Sequence, residues 1–205
     1  MLTVNADRDV VERQLGDGEL ACPSCGGVLA RWGKGAERRV RLPGEPGEEQ
    51  ARHVVLVPRR ARCRQCRATH VLLPAWCLAR RADAGEVIGL ALEAKAAGSG
   101  HRVIAGRLGR PASTVRGWLR RFAVRAEEVR AFFTVLLART SPDPVMPAGA
   151  AGPVAAAVSA VAGAAAAVAQ RWPAVGQVPV WAAASAASGG LLLAPGWPSA
   201  GRNTS

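Results

Sequence analysis

Four of the five cysteines stand in two pairs, Cys22-Pro23-Ser24-Cys25 and Cys63-Arg64-Gln65-Cys66. Each C-x-x-C turn presents two thiolates to one ion, and two such turns supply the four sulfurs of a closed tetrahedral zinc site. A closed shell leaves no open position for catalysis, so the chemistry expected here is one structural Zn²⁺ on Cys22, Cys25, Cys63 and Cys66. Gly26 and Gly27 permit a tight turn beneath the first pair. Arg62, Arg64 and Arg67 set positive charge beside the second, against the negative charge of a four-thiolate centre. The pairs lie 37 residues apart, beyond the usual spacing of about 15–20 residues. The Pro- and Gly-rich stretch Leu42 to Gln50 reads as the hairpin loop or insertion that takes up the excess. A redox role would want a βαβ surround, which is missing. His70 reads as a surface histidine on a strand, and Cys77 and His53 as packing or surface residues.

The second chemical signal is arginine on a helix. In Ile104 to Trp118 the sequence sets a small residue at Ala105, a glycine at Gly109 and a β-branched residue at Val115. These suit, in turn, a close helix approach, a turn of positive φ, and a small core shared with Ile104, Leu108 and Trp118. Pro111 fits the first turn of the following helix. At 100° per residue Val115, Trp118, Leu119 and Phe122 share one face of that helix, while Ser113, Arg116, Gly117 and Arg120 take the other. No acidic residue occurs from Arg102 through Ala126. This is the pattern of a helix-turn-helix whose second helix enters a DNA major groove. Ser113, Thr114, Arg116, Gly117 and Arg120 would then be groove residues, with Arg116 or Arg120 on guanine and Arg121 and Arg125 on phosphates.

The elements that must position these groups follow from the rest of the chain. Residues 1–21 are polar and mixed, with Val10, Val11 and Leu15 able to make at most a short helix. Residues 22–77 alternate in short apolar runs, His53 to Val57 and His70 to Leu73, which predicts antiparallel strands. Residues 83–125 turn helical, starting at Asp83-x-x-Glu86, which has the form of a capping box, and breaking at Gly98-Ser99-Gly100. From Val115 an apolar stripe recurs every seven residues to Leu136, predicting one long third helix toward Arg139 whose 115–137 face is buried or joins a homodimer. Residues 126–170 read as a helical association region with an Ala-rich helix at about Pro153 to Gln170. Its uncharged run is long enough to span a bilayer but too weakly apolar to favour insertion. Residues 171–205 read as a low-complexity, partly disordered tail. The fold class expected is α+β.

The order of a C-P-x-C-G knuckle, a basic hairpin, Arg59-Arg60-Ala61-Arg62-Cys63-x-x-Cys66, the strand Thr69 to Pro74 and a helix-turn-helix resembles the zinc-ribbon heads of bacterial insertion-sequence transposases. It also resembles small actinobacterial proteins that carry such a head alone. The resemblance covers about residues 20–125 and implies zinc and DNA binding. It departs from a full transposase where the acidic catalytic domain should follow, since residues 141–205 hold a single carboxylate, Asp143.

Charge agrees with a polyanionic partner. The chain carries +12 in 205 residues, almost all of it before residue 141, as suits phosphate neutralisation. Two-metal hydrolysis wants several carboxylates, tyrosine recombination wants a tyrosine where the chain has none, and no Ser, His and acid grouping suggests acyl transfer. The reading is a cytoplasmic, nucleoid-associated, non-catalytic protein, regulatory or transposon-associated, that binds double-stranded DNA, with no membrane and no small-molecule substrate. Two alternatives stand beside it: a zinc-ribbon RNA-binding module, for which Trp32 is the aromatic candidate, and a helical interaction scaffold with an incidental basic face. Removal of residues 141–205 is expected to spare zinc and duplex binding while changing association.

Overall fold

A computed structural model of the chain describes residues 1–44, 52–144, 149–173 and 178–198. The architecture is α+β, with seven helices, two small sheets and no closed barrel among the described residues.

The N-terminal residues belong to the first sheet and do not stand apart from it. Strand β1 (Leu2–Val4) lies parallel to β6 (Thr69–Pro74), which pairs antiparallel with β5 (Arg59–Cys63), and β5 pairs antiparallel with β2 (Leu29–Lys34). The parallel edge departs from the all-antiparallel expectation. Helix α1 (Arg8–Asp17) is capped by the Asp7 carboxylate, which accepts from the Asp9 N–H, and closes at Gly18 with φ 74°. Val11 and Leu15, one turn apart, bury against Leu29, Ala61 and Leu72. Glu12 fixes the docking by pairing with Arg31 of β2 and Arg59 of β5. The second sheet is the hairpin of β3 (Arg38–Arg41) and β4 (His53–Leu56). Of the connection expected at Leu42 to Gln50, residues 45–50 lie outside the described residues.

The helical half begins one residue later than a cap at Asp83 would have it. Helix α2 (Gly85–Ala96) has Ala84 at its N-cap with no side-chain cap bond. Asp83 is committed elsewhere, its Oδ2 accepting from Arg110 at 2.9 Å. Helices α3 (His101–Leu108) and α4 (Ala112–Ala123) follow, joined through Gly109 at φ 57°. The single long third helix is not formed. The chain breaks at Val124–Arg125, where Arg125 leaves helical geometry at φ −120°, ψ 15°, and α5 (Ala126–Thr140) restarts with Glu127 and Glu128 in its first turn. Carboxylates there favour a helix N-terminus, so the seven-residue stripe runs across two helices.

Helix α6 (Pro153–Arg171) covers α5. Ala157, Ala160, Val161, Ala164 and Ala167 form its buried face, and small side chains let the two backbones approach closely over Val129, Phe133 and Leu137. By length and composition alone α6 could cross a membrane; here its buried face belongs to the core. Val129, Phe133 and Leu137 of the stripe are therefore covered within the chain, while Phe132 and Leu136 border an open groove.

Within the C-terminal stretch expected to be a partly disordered tail, residues 178–198 carry a helix and buried side chains, and residues 174–177 and 199–205 lie outside the described residues. Helix α7 (Val180–Ala187) buries Trp181, Ala184 and Ser185, and Leu192 and Leu193 follow into the same core. The Trp181 ring fills a notch over α2 that exists because residue 89 is glycine: a Cβ there would lie 2.0 Å from the ring. The indole N–H donates to Glu93 at 2.7 Å. Gly89→Ala is expected to cost about 1–3 kcal/mol by overpacking. Gly106→Ala on exposed α3, where a Cβ meets nothing within 4 Å, should gain up to about 1 kcal/mol. Urea midpoints of the two variants check the contrast.

Candidate metal centre and basic helix face

Each C-x-x-C pair sits on a turn that the backbone closes with a bond from the leading cysteine N–H to the carbonyl five residues on. In the first, the Cys22 N–H donates to Gly27 and the Gly26 N–H to Cys22; in the second, the Cys63 N–H donates to Ala68. The residue four places after the leading cysteine is left-handed in both, Gly26 at φ 74° and Arg67 at φ 62°. Glycine adopts that conformation without cost, whereas arginine is strained there. The antiparallel β2–β5 pairing, with Leu29 opposite Cys63, brings the turns face to face.

Cys22, Cys25, Cys63 and Cys66 then converge, with all four sulfurs within 4.8 Å of one another. The Cys22–Cys66 and Cys25–Cys63 separations are 3.7 and 3.5 Å. Metal–sulfur bonds of about 2.3 Å place tetrahedral sulfurs about 3.8 Å apart, so the quartet fits a four-thiolate ion site and none of its members is in a disulfide. Burial raises the Cys22 thiol, but hydrogen bonds from the Ser24 and Cys25 N–H groups, Cys66 and His70 together lower it to about 6. Cys66 is lowered by the Ala68 N–H, yet its fellow thiols Cys25, Cys63 and Cys22, with burial, push it up to about 12. Four thiols this close share negative charge poorly, and a cation relieves that.

His70 is not on the surface. It is 6% exposed, with Nε2 3.3 Å from the Cys22 sulfur. It stands beside the quartet as a hydrogen-bonding neighbour that orients a ligand, the second layer a metal site needs. Cys77 is buried away from the quartet, and burial raises its thiol to about 11. Arg62 lies across the Trp32 ring, 4.5 Å from its centroid, and donates to the Arg67 carbonyl at 3.2 Å.

On α4, Val115, Trp118, Leu119 and Phe122 are buried, and the opposite face lines a concavity of about 730 Å³. Its walls are Ser113, Thr114, Arg116, Gly117, Arg120 and Arg121, with part of Trp118 and with Arg81 from the turn before α2, and they hold no carboxylate. Gly117 leaves room for Arg121 to fold back, its Nη1 donating to the Gly117 carbonyl at 3.0 Å. The α3–α4 turn is held from the other side, since Arg41 of β3 donates to the Gly109 carbonyl at 2.9 Å and Arg110 pairs with Asp83.

No family model, curated protein or solved structure matches this chain.

Six of the seven residues singled out for DNA therefore share one concavity. Arg125 does not: it donates to the Pro198 carbonyl at 3.3 Å and borders a separate groove with Glu128 and Phe132. Arg81 and His70 were missed. Alternation along Thr69–Pro74 sets His70 on the face of buried Leu72, a signal available in the sequence. For Arg81 no local signal existed, because its place beside α4 is a tertiary fact.

Proposed function

We propose that the protein binds double-stranded DNA without catalysis, through a helix-turn-helix formed by α3 and α4, on a scaffold whose β half is a zinc ribbon. The observation that carries this reading is the concavity on the exposed face of α4, lined by arginines and hydroxyls with no acid in its wall. Phosphates and guanine edges are the ligands that such a surface recognises. The resemblance of residues 20–125 to transposase heads supports the same reading, as does the excess of positive charge. Zinc, when bound by Cys22, Cys25, Cys63 and Cys66, supplies a fold-fixing cross-link; His70 orients Cys22, and Arg41 and Asp83 pin the α3–α4 turn against the hairpin side.

If Arg116 or Arg120 reads a guanine, its change to Ala should weaken binding to the selected site by about 1–3 kcal/mol, roughly 5- to 150-fold, and relax preference at that position. Site selection from random duplexes, followed by anisotropy titrations at fixed salt, measures both. Equal losses on every duplex would reduce the reading to non-specific binding.

RNA binding has one observation of its own, the half-exposed Trp32 ring stacked with Arg62, an arrangement suited to stacking a single-stranded base. Titration of single-stranded RNA at matched salt separates the two, and Trp32→Ala should affect only the RNA arm.

A further inference from the structure

Arg81 sits outside the helix pair, yet it lines the same α4 concavity as Arg116, Arg120 and Arg121. Its position is built. Arg80 takes a left-handed φ of 57°, uncommon for a side chain of that size, and the next residue turns back over the C-terminal segment. There the Arg81 Nη2 donates to the Leu193 carbonyl at 3.2 Å, which anchors one edge of the guanidinium. No carboxylate lines the concavity to balance the four arginines. Burial, and then the charge of Arg121, lower the Arg81 pKa from its ordinary value, the mark of cations held together without a counter-charge.

Resting on the DNA-binding reading above, we propose that the Arg81 and Arg121 edge of this concavity is a phosphate site that takes one backbone phosphate of the duplex, beside the groove-facing Arg116 and Arg120, with Arg81 a contact residue contributed from outside the helix-turn-helix. A phosphate supplies the negative charge and acceptor oxygens that no side chain in this wall provides, and guanidinium–phosphate pairing is bidentate by geometry. The contact sets register and carries no sequence information. It would also couple the docking of the C-terminal segment, through Leu193, to the grip on DNA.

The test compares the full-length protein with Arg81→Ala, Arg81→Gln and, as a control on α3, Arg107→Ala. Gln keeps an N–H donor for the Leu193 carbonyl without the charge, so it carries the test if Ala perturbs folding. Anisotropy titrations of a selected and a random duplex over a salt series give the slope of log K on log salt. Losing one phosphate contact should reduce the steepness by about 0.9 in both Arg81 variants, with the ratio of selected to random affinity unchanged. Wild-type binding with the same slope in Arg81→Gln overturns this inference and leaves DNA binding standing. A wild-type protein that binds no duplex overturns the DNA reading itself, and with it the backbone phosphate.

Discussion

A strong zinc chelator is expected to unfold the β half of the protein. The core under that half is small, formed by Val11, Leu15, Leu29, Ala61 and Leu72 with the buried members of the quartet, Cys22 and Cys63. Structural zinc contributes about 10–16 kcal/mol of apparent binding free energy in small domains, comparable with or larger than the whole stability of a typical domain, about 5–15 kcal/mol. Protein purified without chelator should hold about one zinc per chain, and Cys25→Ser should lose it. Hydrogen exchange should then show the quartet turns and strands β2 and β5 unprotected while the helices, whose core is the larger one shared with Val40 and Leu73, keep their protection. Acid should act in the same direction, because the ligands bind only as thiolates. Zinc-free protein with unchanged exchange protection would end the metal assignment.

Removing residues 141–205 is expected to collapse the helical half, not merely to alter its association. That cut deletes α6 and α7 and strips the cover from Val129, Phe133 and Leu137. At about 1.5–3 kcal/mol for each fully buried side chain, the loss rivals the net stability of the domain. α2 also loses Trp181 from the notch at Gly89. The small core beneath the quartet draws no residue from the deleted segment, so zinc content should survive while far-ultraviolet helicity and the cooperative melt fall away. Duplex binding should fall with them, because α4 loses its support. Sedimentation, circular dichroism and metal analysis on one preparation decide the matter. A truncated chain that stays monomeric and melts cooperatively would show that α5 stands without α6.

What could be read from the sequence was what residues announce locally. Paired cysteines state their partners by spacing alone, and the turn at Gly109 and the buried face of α4 follow from periodicity within a few residues. The break at Val124–Arg125 was masked because the heptad stripe continues in phase across it; the competing cue, Glu127 and Glu128 after Ala126, is the weaker signal of a new helix N-terminus. Asp83 offered a cap by pattern, but Arg110, 27 residues on, offered a stronger partner. The last helix was hidden by composition. Alanine, glycine and proline give little periodic contrast, and the residue that makes Trp181 a core side chain is Gly89, far back in the chain. Arg81 belongs to the same class, since nothing near it in sequence says that it faces α4.

The notch over Gly89 also sets an order of events during synthesis. Helices α2 to α5 leave the ribosome long before Trp181, Leu192 and Leu193, which complete their core. At about 5–20 residues per second, the stretch from Thr140 to Leu193 takes roughly 3–10 s to emerge. For that interval the nascent helices carry an open apolar seam at Val129, Phe133 and Leu137, while the cysteine quartet and its sheet already have every residue they need. The metal-binding half can close first and the helical half must wait, so the nascent chain's exposure to aggregation and to chaperones falls on the helices rather than on the cysteine turns.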